Sequence, residues 1–256
     1  MASIILERVS VRYDVGTRAA LGPLDLTIGE GECLFVTGPN GSGKTTLARA
    51  LTGVVPLTTG HIRMSTGVDQ NKWPPGTVGW VQQNPRQQMV GATVAEDIGL
   101  APLWLGTTWD QAMKQGQASL REFGLGPWAQ YKPSHLSGGW QHMAALAGVH
   151  AQDPTLLILD EPDAMLDSCG LDRLKTWVRH LKERHQTFLI LGHHERWEEI
   201  ADRVINLEAG RIVADETTNY RVNEGWQQFL RGWWVGTDQP TVTEVMSEIC
   251  HGTLNI

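Results

Sequence analysis

The sequence predicts an α/β protein built around a mostly parallel sheet that helices cover on both faces. Short apolar runs that suit buried strands recur along the chain, among them Cys33–Thr37, Leu156–Leu159 and Phe188–Leu191. Helical patterns separate these runs, and between Leu171 and Glu183 the apolar residues fall on one stripe of a helix. Alternation of buried strands with amphipathic helices is typical of a parallel sheet covered on both faces.

The other elements follow from local patterns and turn residues. The N-terminal segment alternates apolar and polar residues, as a half-exposed strand should, and a long helical stretch interrupts the α/β pattern near the middle of the chain. In chain order, the sequence predicts strands over Ile4–Tyr13 and Leu21–Ile28, a helix over Thr45–Leu51, short strands near Ile62 and Val78–Val81, helices between about Val94 and Lys132, a helix from Trp140, a hairpin of Val204–Leu207 with Arg211–Ala214, and a small appended element over 219–256.

Composition excludes several classes of protein. The 256 residues are 41% hydrophobic and 19% charged, which is ordinary for a folded domain, and no apolar run approaches the length of a membrane span. A net charge of −7 without a basic cluster argues against binding to nucleic acid. The three scattered cysteines and the absence of a signal-peptide pattern favour a reduced, cytoplasmic protein without a disulfide. Any membrane role is therefore expected to depend on partner subunits.

A glycine-rich segment between a predicted strand and a predicted helix fits the phosphate-loop pattern. Its glycines allow successive backbone N–H groups to turn towards a phosphate, and the following helix adds a partial positive charge. Lys44 is expected to reach the β- and γ-phosphates, and the Thr45 hydroxyl is a candidate Mg²⁺ ligand. The predicted nucleotide-binding residues of this segment are Gly38, Asn40, Gly41, Ser42, Gly43, Lys44, Thr45 and Thr46.

An apolar strand over Leu156–Leu159 leads into two adjacent carboxylates, Asp160 and Glu161. An aspartate in this position after a phosphate loop is expected to hold Mg²⁺, directly or through water. The neighbouring glutamate can orient and deprotonate an attacking water molecule as a general base. The pair therefore predicts phosphoryl transfer from a bound nucleotide to water.

A Leu-Ser-Gly-Gly segment over 136–139 precedes another predicted helix. The Ser137 hydroxyl, the N–H groups of Gly138 and Gly139 and the helix N-terminus could together bind an anion. Taken by itself, the segment is better interpreted as a turn that starts a helix.

Taken together, these motifs resemble the ABC ATPase family over nearly the whole chain, and the Leu-Ser-Gly-Gly segment matches its signature. The resemblance implies an α/β fold, with a P-loop (RecA-like) ABC ATPase core, an N-terminal antiparallel β-subdomain and an inserted α-helical subdomain at about 88–140, all within an ATPase domain over 1–218. It also implies a head-to-tail dimer of ATPase subunits, identical or paralogous, in which Ser137, Gly138 and Gly139 contact the nucleotide bound by the other copy. Trp140 stands where the family usually has glutamine.

The resemblance assigns roles to four further residues. Tyr13 matches the aromatic residue that stacks on adenine, and Asp167 matches the loop that communicates across the dimer. Gln83, preferred to its neighbour Gln82, matches the glutamine that links Mg²⁺ and water to the membrane partner. His193 matches the switch histidine that contacts the γ-phosphate. Glu161, His193 and Gln83 are thus the expected catalytic residues, and Thr45, Gln83 and Asp160 are the expected metal site.

Within the family, residues 83–97 are most similar to energy-coupling factor ATPases, which serve importers of vitamins and transition-metal ions. The implied ligands are ATP and Mg²⁺, and the implied partners are a second ATPase subunit, a transmembrane coupling subunit and a substrate-binding membrane subunit at the cytoplasmic face of the membrane. Arg86 and Gln87 replace acids that are common in that subfamily, so docking is expected to depend on Met89 and Val90, helped by Glu96 and Asp97. A soluble, non-transport ABC ATPase is the alternative, and Trp140 raises a third possibility, a subunit that binds ATP but barely hydrolyses it.

Overall fold

The structure, a computed structural model, describes residues 2–14, 18–193 and 195–218. The predicted C-terminal element over 219–256, with its tryptophans, lies outside these residues. The described elements are the strands β1 Ile4–Val11, β2 Leu21–Ile28, β3 Cys33–Thr37, β4 Thr59–Met64, β5 Val78–Val81, β6 Leu156–Asp160, β7 Thr187–Leu191, β8 Arg203–Glu208 and β9 Arg211–Thr217, and the helices α1 Lys44–Leu51, α2 Val94–Trp104, α3 Trp109–Glu122, α4 Gly138–His150 and α5 Ser168–Glu183.

Two sheets organise the chain. A three-stranded antiparallel sheet has the order β2-β1-β4, and a six-stranded sheet has the order β5-β6-β7-β3-β8-β9. The first five strands of the larger sheet are parallel, and β9 joins antiparallel through its hairpin with β8. The carboxyl ends of β3 and β6 therefore lie at the same edge of this sheet, with the carboxyl end of β7 between them, and that edge carries the site described below.

Each face of the larger sheet has its own apolar core. Leu34, Val36 and Leu189 pack with α1 and the smaller sheet, whereas Phe35, Phe188 and Ile190 face α2, α4 and α5. Side chains alternate between the two faces of a strand, so these runs are apolar on both sides, as the sequence predicted. Burial on both faces fixes the strand register, and with it the position of every strand end.

The inserted helices lie between β5 and β6 in the chain. α2 begins at the cap residue Thr93, whose side chain accepts a hydrogen bond from Glu96 N, and α3 begins with a capping box at Thr108. α2 packs closely against both α3 and α4. Within the described part of the chain, none of the helices combines the length and the apolar character that a membrane span requires.

Cys33, at the start of β3, is a free, buried thiol.

Candidate active site

The segment between β3 and α1 forms a loop that requires glycine at two positions. Gly38 has φ 147°, and a Cβ there would lie 2.1 Å from the carbonyl oxygen of Leu207. Gly43 has φ 109°, and a Cβ there would lie 2.6 Å from the carbonyl oxygen of Ala20. L-residues avoid this region of φ, and neither backbone neighbour can give way easily. The loop conformation is therefore specific to this glycine spacing.

Lys44, the first residue of α1, folds its side chain back into the loop. Its Nζ donates to the carbonyl oxygens of Gly38 at 2.7 Å and Pro39 at 3.3 Å, and lies 3.3 Å from His193 Nε2. Burial lowers the pKa of the Lys44 ammonium, while the nearby carboxylates of Glu161 and Asp160 oppose that effect. A buried ammonium held mainly by neutral carbonyl groups is well suited to attract a phosphate.

Ser42 gives the loop an unused polar group. Its hydroxyl is buried and has no hydrogen-bond partner among the described residues. Its backbone carbonyl oxygen accepts a hydrogen bond from Gly210 N at 2.8 Å, so the turn between β8 and β9 fixes the backbone of the loop at this residue. A buried hydroxyl is normally paired, and this one fits a loop that a bound ligand completes.

Asp160 and Thr45 place two oxygen groups beside Lys44. Asp160 ends β6 and is 4% exposed, and the Thr45 hydroxyl donates to its Oδ1 at 3.4 Å. Burial raises the pKa of Asp160 from 3.8 to about 6, although the hydrogen bond from Thr45 and the charge of Lys44 favour the ionised form. Carboxylate and hydroxyl oxygens suit a small hard cation such as Mg²⁺, and a cation would favour the charged carboxylate.

Glu161 lies at the centre of the site and receives two side chains. Gln83 Nε2 donates to its Oε2 at 2.6 Å, and His193 Nε2 lies 2.9 Å from its Oε1. The backbone of Glu161 has φ 46°, and its N–H donates to the carbonyl oxygen of Leu191 at 2.8 Å. A non-glycine residue held in this strained region is uncommon, and such residues cluster at functional sites.

Tyr13 lies beside the N-terminal part of α1. Its hydroxyl is 3.2 Å from Thr46 Oγ1 and accepts from Arg49 Nη1 at 3.2 Å, while the residue is 50% exposed. Its ring is thus anchored next to the glycine-rich loop. An exposed aromatic face in this position is available for stacking on a base.

The signature residues lie at a different place on the surface. Ser137 precedes α4, makes no capping hydrogen bond with its side chain, and is exposed. Within the described parts of the chain, no hydrogen bond or ion pair joins residues 137–139 to the glycine-rich loop. The exposed Asp167 caps α5 by accepting from Gly170 N at 2.7 Å. One copy of the chain therefore assembles the Lys44, Asp160 and Glu161 cluster, but not the signature, around the loop.

Residues 83–93 form a loop that is held by side chains of the loop itself and of the first turn of α2, and these contacts were not predicted. Gln88 accepts from Gln82 N at 2.8 Å and donates to the Trp80 carbonyl oxygen at 2.6 Å, which ties the loop to β5. Asp97 accepts from the N–H groups of Val90 and Gly91 at 2.7 and 2.8 Å, and Glu96 accepts from Ala92 N at 3.1 Å. These acids hold the loop conformation. The local Asn-Pro sequence signals a turn but not these longer-range contacts.

The two predicted docking residues differ in exposure. Met89 packs against the apolar core, whereas Val90 is 63% exposed.

Trp140 is partly buried and contacts two side chains of its own chain. The guanidinium of Arg173 lies 4.2 Å from the centroid of its ring, and the centroid of the Trp128 ring lies 5.6 Å from it. The tryptophan after the signature therefore packs within its own chain.

Comparison with known proteins identifies the family. The ABC transporter family model matches residues 21–164. An energy-coupling factor transporter ATP-binding protein EcfA1 from Levilactobacillus brevis is 35% identical over 241 residues, which are 93% of this chain and 85% of that protein. A related EcfA1 from Bacillus subtilis is 35% identical over 218 residues, 83% of this chain and 77% of that protein.

A solved structure shows the same fold. CbiO1 from Clostridium perfringens, described as part of the ABC transporter complex cbiONQ, has a TM-score of 0.74 and 25% identity, covering 90% of this chain and 93% of that one. The predicted fold class, an ABC ATPase core with an antiparallel β-subdomain and inserted helices, is confirmed. The chain belongs to the ABC transporter family and, within it, to the energy-coupling factor transporter ATP-binding proteins.

Proposed function

We propose that this chain binds Mg²⁺-ATP at the glycine-rich loop, hydrolyses it at Glu161, and drives uptake of a vitamin or metal ion through partner membrane subunits. The observation that supports this most strongly is the contact of Gln83 and His193 with the two oxygens of Glu161, beside Lys44. A carboxylate held by two side chains next to a phosphate loop is suited to act on water rather than to stabilise the fold.

The loop residues bind and orient the triphosphate. The Lys44 ammonium would exchange its carbonyl partners for β- and γ-phosphate oxygens, and the Ser42 hydroxyl would gain the partner that it lacks. Thr45 and Asp160 would hold the Mg²⁺ ion, with Gln83 nearby. When bound, Mg²⁺ neutralises charge on the phosphates. Tyr13 would stack on the adenine ring.

Glu161 would accept the proton of the attacking water while the water oxygen forms its bond to the γ-phosphorus. The bond between that phosphorus and the bridging oxygen breaks, which leaves ADP and inorganic phosphate. Gln83 and His193 position the carboxylate, and the His193 ring can turn its Nε2 towards the γ-phosphate. No covalent intermediate with the protein is needed.

A second ATPase subunit would complete each site. Ser137, Gly138 and Gly139 lie away from the loop of their own chain, so they are available to bind the γ-phosphate held by a partner, and Asp167 lies close to them in the fold. A solved ABC transporter cassette with a TM-score of 0.73 and 25% identity is described as dimeric. Relatives named as transporter proteins favour transport over the alternative of a soluble, non-transport ABC ATPase.

The Glu161→Gln variant tests the proposed hydrolysis. Glutamine keeps the size of the side chain but cannot accept the proton, so turnover should fall by about 10²–10⁴ while ATP affinity is retained. The matched control is Glu216→Gln, which alters an exposed glutamate on β9. Hydrolysis by Glu161→Gln within a few-fold of the parent rate would refute this assignment.

A further inference from the structure

A side-chain contact links the loop that carries Gln83 to the helix that carries the signature. Arg86 lies in a short 3-10 turn over Pro85–Gln87, and its Nε donates to Gln141 Oε1 at 2.8 Å. Arg86 is exposed as a residue, whereas Gln141 is only 2% exposed. The contact therefore joins a surface cation to a buried amide.

The side-chain amide of Gln141 makes hydrogen bonds through both its oxygen and its NH₂ group. Its Nε2 donates to the carbonyl oxygens of Pro133 at 3.1 Å and Leu136 at 2.9 Å. The reverse orientation of the amide would bring its oxygen against two carbonyl oxygens and its NH₂ against the donor of Arg86. The chemistry of the neighbours thus fixes the amide and, through it, the turn before the signature.

The Arg86–Gln141 contact joins two segments, and each of them adjoins a residue with a proposed role in ATP hydrolysis. Gln83, whose side chain donates to Glu161 at 2.6 Å, stands three positions before Arg86. Asn84 caps the intervening turn by accepting from Arg86 N at 3.2 Å. On the other side, Leu136 directly precedes Ser137. An unbroken series of hydrogen bonds and short chain segments therefore connects Glu161 with the signature serine.

We propose that Arg86 and Gln141 are positioning residues. They couple the position of the turn at 133–136, which precedes the signature, to the position of the loop that carries Gln83. Resting on the proposed function, this inference assigns to the pair the placement of Ser137 on the nucleotide of the partner subunit. Breaking the contact frees the turn at 133–136 from the Gln83 loop without altering the loop that binds nucleotide in the same chain. Hydrolysis is then impaired, while nucleotide capture is preserved.

The test compares Arg86→Ala, Gln141→Leu and the double variant in the full-length chain, together with the subunits that co-purify with it. The kcat for ATP hydrolysis should fall about tenfold or more in each single variant, as expected for loss of a hydrogen bond to a charged group. The double variant should be no slower than Gln141→Leu, since both changes break one link. The affinity for a fluorescent ATP analogue should stay within about twofold of the parent value.

Two further variants separate positioning from loss of fold stability. Arg86→Lys keeps a cationic donor and should restore most of kcat, whereas Arg121→Ala, which removes an exposed arginine of α3, should leave it unchanged. Three results would overturn the proposed role of the Arg86–Gln141 contact, called the tether below: rate losses that multiply in the double variant, a matching loss of nucleotide affinity, or no rescue by lysine.

A last variant distinguishes failure of this inference from failure of the proposed function. Ser137→Ala removes the signature hydroxyl itself. If it lowers kcat while Arg86→Ala and Gln141→Leu do not, the signature acts in hydrolysis and only the tether is wrong. If Ser137→Ala also leaves kcat unchanged, the proposed role of the signature fails together with the tether.

Discussion

Replacement of Asp160 by asparagine should stabilise the nucleotide-free protein while removing its activity. Burial raises the pKa of this carboxyl from 3.8 to about 6, which corresponds to about 3 kcal/mol of preference for the neutral form. At pH 7.5 the folded protein must nevertheless keep the carboxylate ionised without a bound cation. Asparagine has the same shape, carries no charge, and can still accept a hydrogen bond from Thr45.

The sign of the pH dependence follows from the raised pKa. The folded state holds the proton more tightly than the unfolded chain, so the contribution of Asp160 to stability is fully present below pH 3.8 and is lost as the pH rises through about 6. The gain from Asp160→Asn should therefore be small at pH 4.5, increase up to about pH 6, and stay constant above pH 7. With allowance for relaxation around the site, we expect Asp160→Asn to raise the free energy of unfolding above pH 7 by about 1–3 kcal/mol, which corresponds to several degrees in Tm.

The assay is thermal unfolding in the presence of a chelator at pH 4.5, 5.5 and 7.5. Asp215→Asn is a control of opposite sign, because the hydrogen bonds from Arg203 hold the pKa of Asp215 below its usual value. That variant should unfold at lower temperature near pH 7, with a smaller difference in acid. If Asp160→Asn is no more stable than the parent protein at pH 7.5, the cost assigned to burial of this carboxylate is wrong.

Three further predictions concern binding, docking and packing. Lys44→Ala should weaken the binding of a fluorescent ATP analogue at least tenfold, since it removes the cation inside the loop; unchanged affinity would contradict the phosphate-binding role. Val90→Asp should lower solute uptake by the assembled transporter with little change in Tm or nucleotide affinity, while Val213→Asp, also at an exposed valine, should transport normally; equal uptake by both variants would place the docking surface elsewhere. Trp140→Gln should lower the free energy of unfolding in urea by about 1–3 kcal/mol because it removes a partly buried ring that packs against Arg173; an unchanged value would show that this packing contributes nothing.

Local sequence patterns predicted the parts of the fold that depend on short-range chemistry. The strand Leu21–Ile28 has the predicted limits, and α5 begins at Ser168, three residues before the predicted apolar stripe, because Asp167 caps it. The glycine-rich loop was predictable because its conformation requires glycine at fixed spacing. Strand burial on both faces was predictable because both faces of β6 and β7 are apolar.

Contacts between distant segments were not predictable in the same way. Nothing in the neighbourhood of Arg86 shows that its guanidinium meets Gln141, which is 55 positions away. The positive φ of Glu161 and the hydrogen bond from its N–H to Leu191 likewise have no signal in the residues next to Glu161. The resemblance to a family brought Gln83, His193 and Glu161 together as expected partners, and the structure gives their distances. Their catalytic roles remain predictions.

The most direct test of the central claim is ATP-dependent solute uptake by the purified transporter in lipid vesicles. The full-length chain would be co-purified with its membrane subunits and reconstituted with either the parent sequence or Glu161→Gln. We expect uptake with ATP from the parent complex and none from the variant complex, although both bind ATP. Uptake that continues with Glu161→Gln, or parent ATP hydrolysis that never moves solute, would contradict the account.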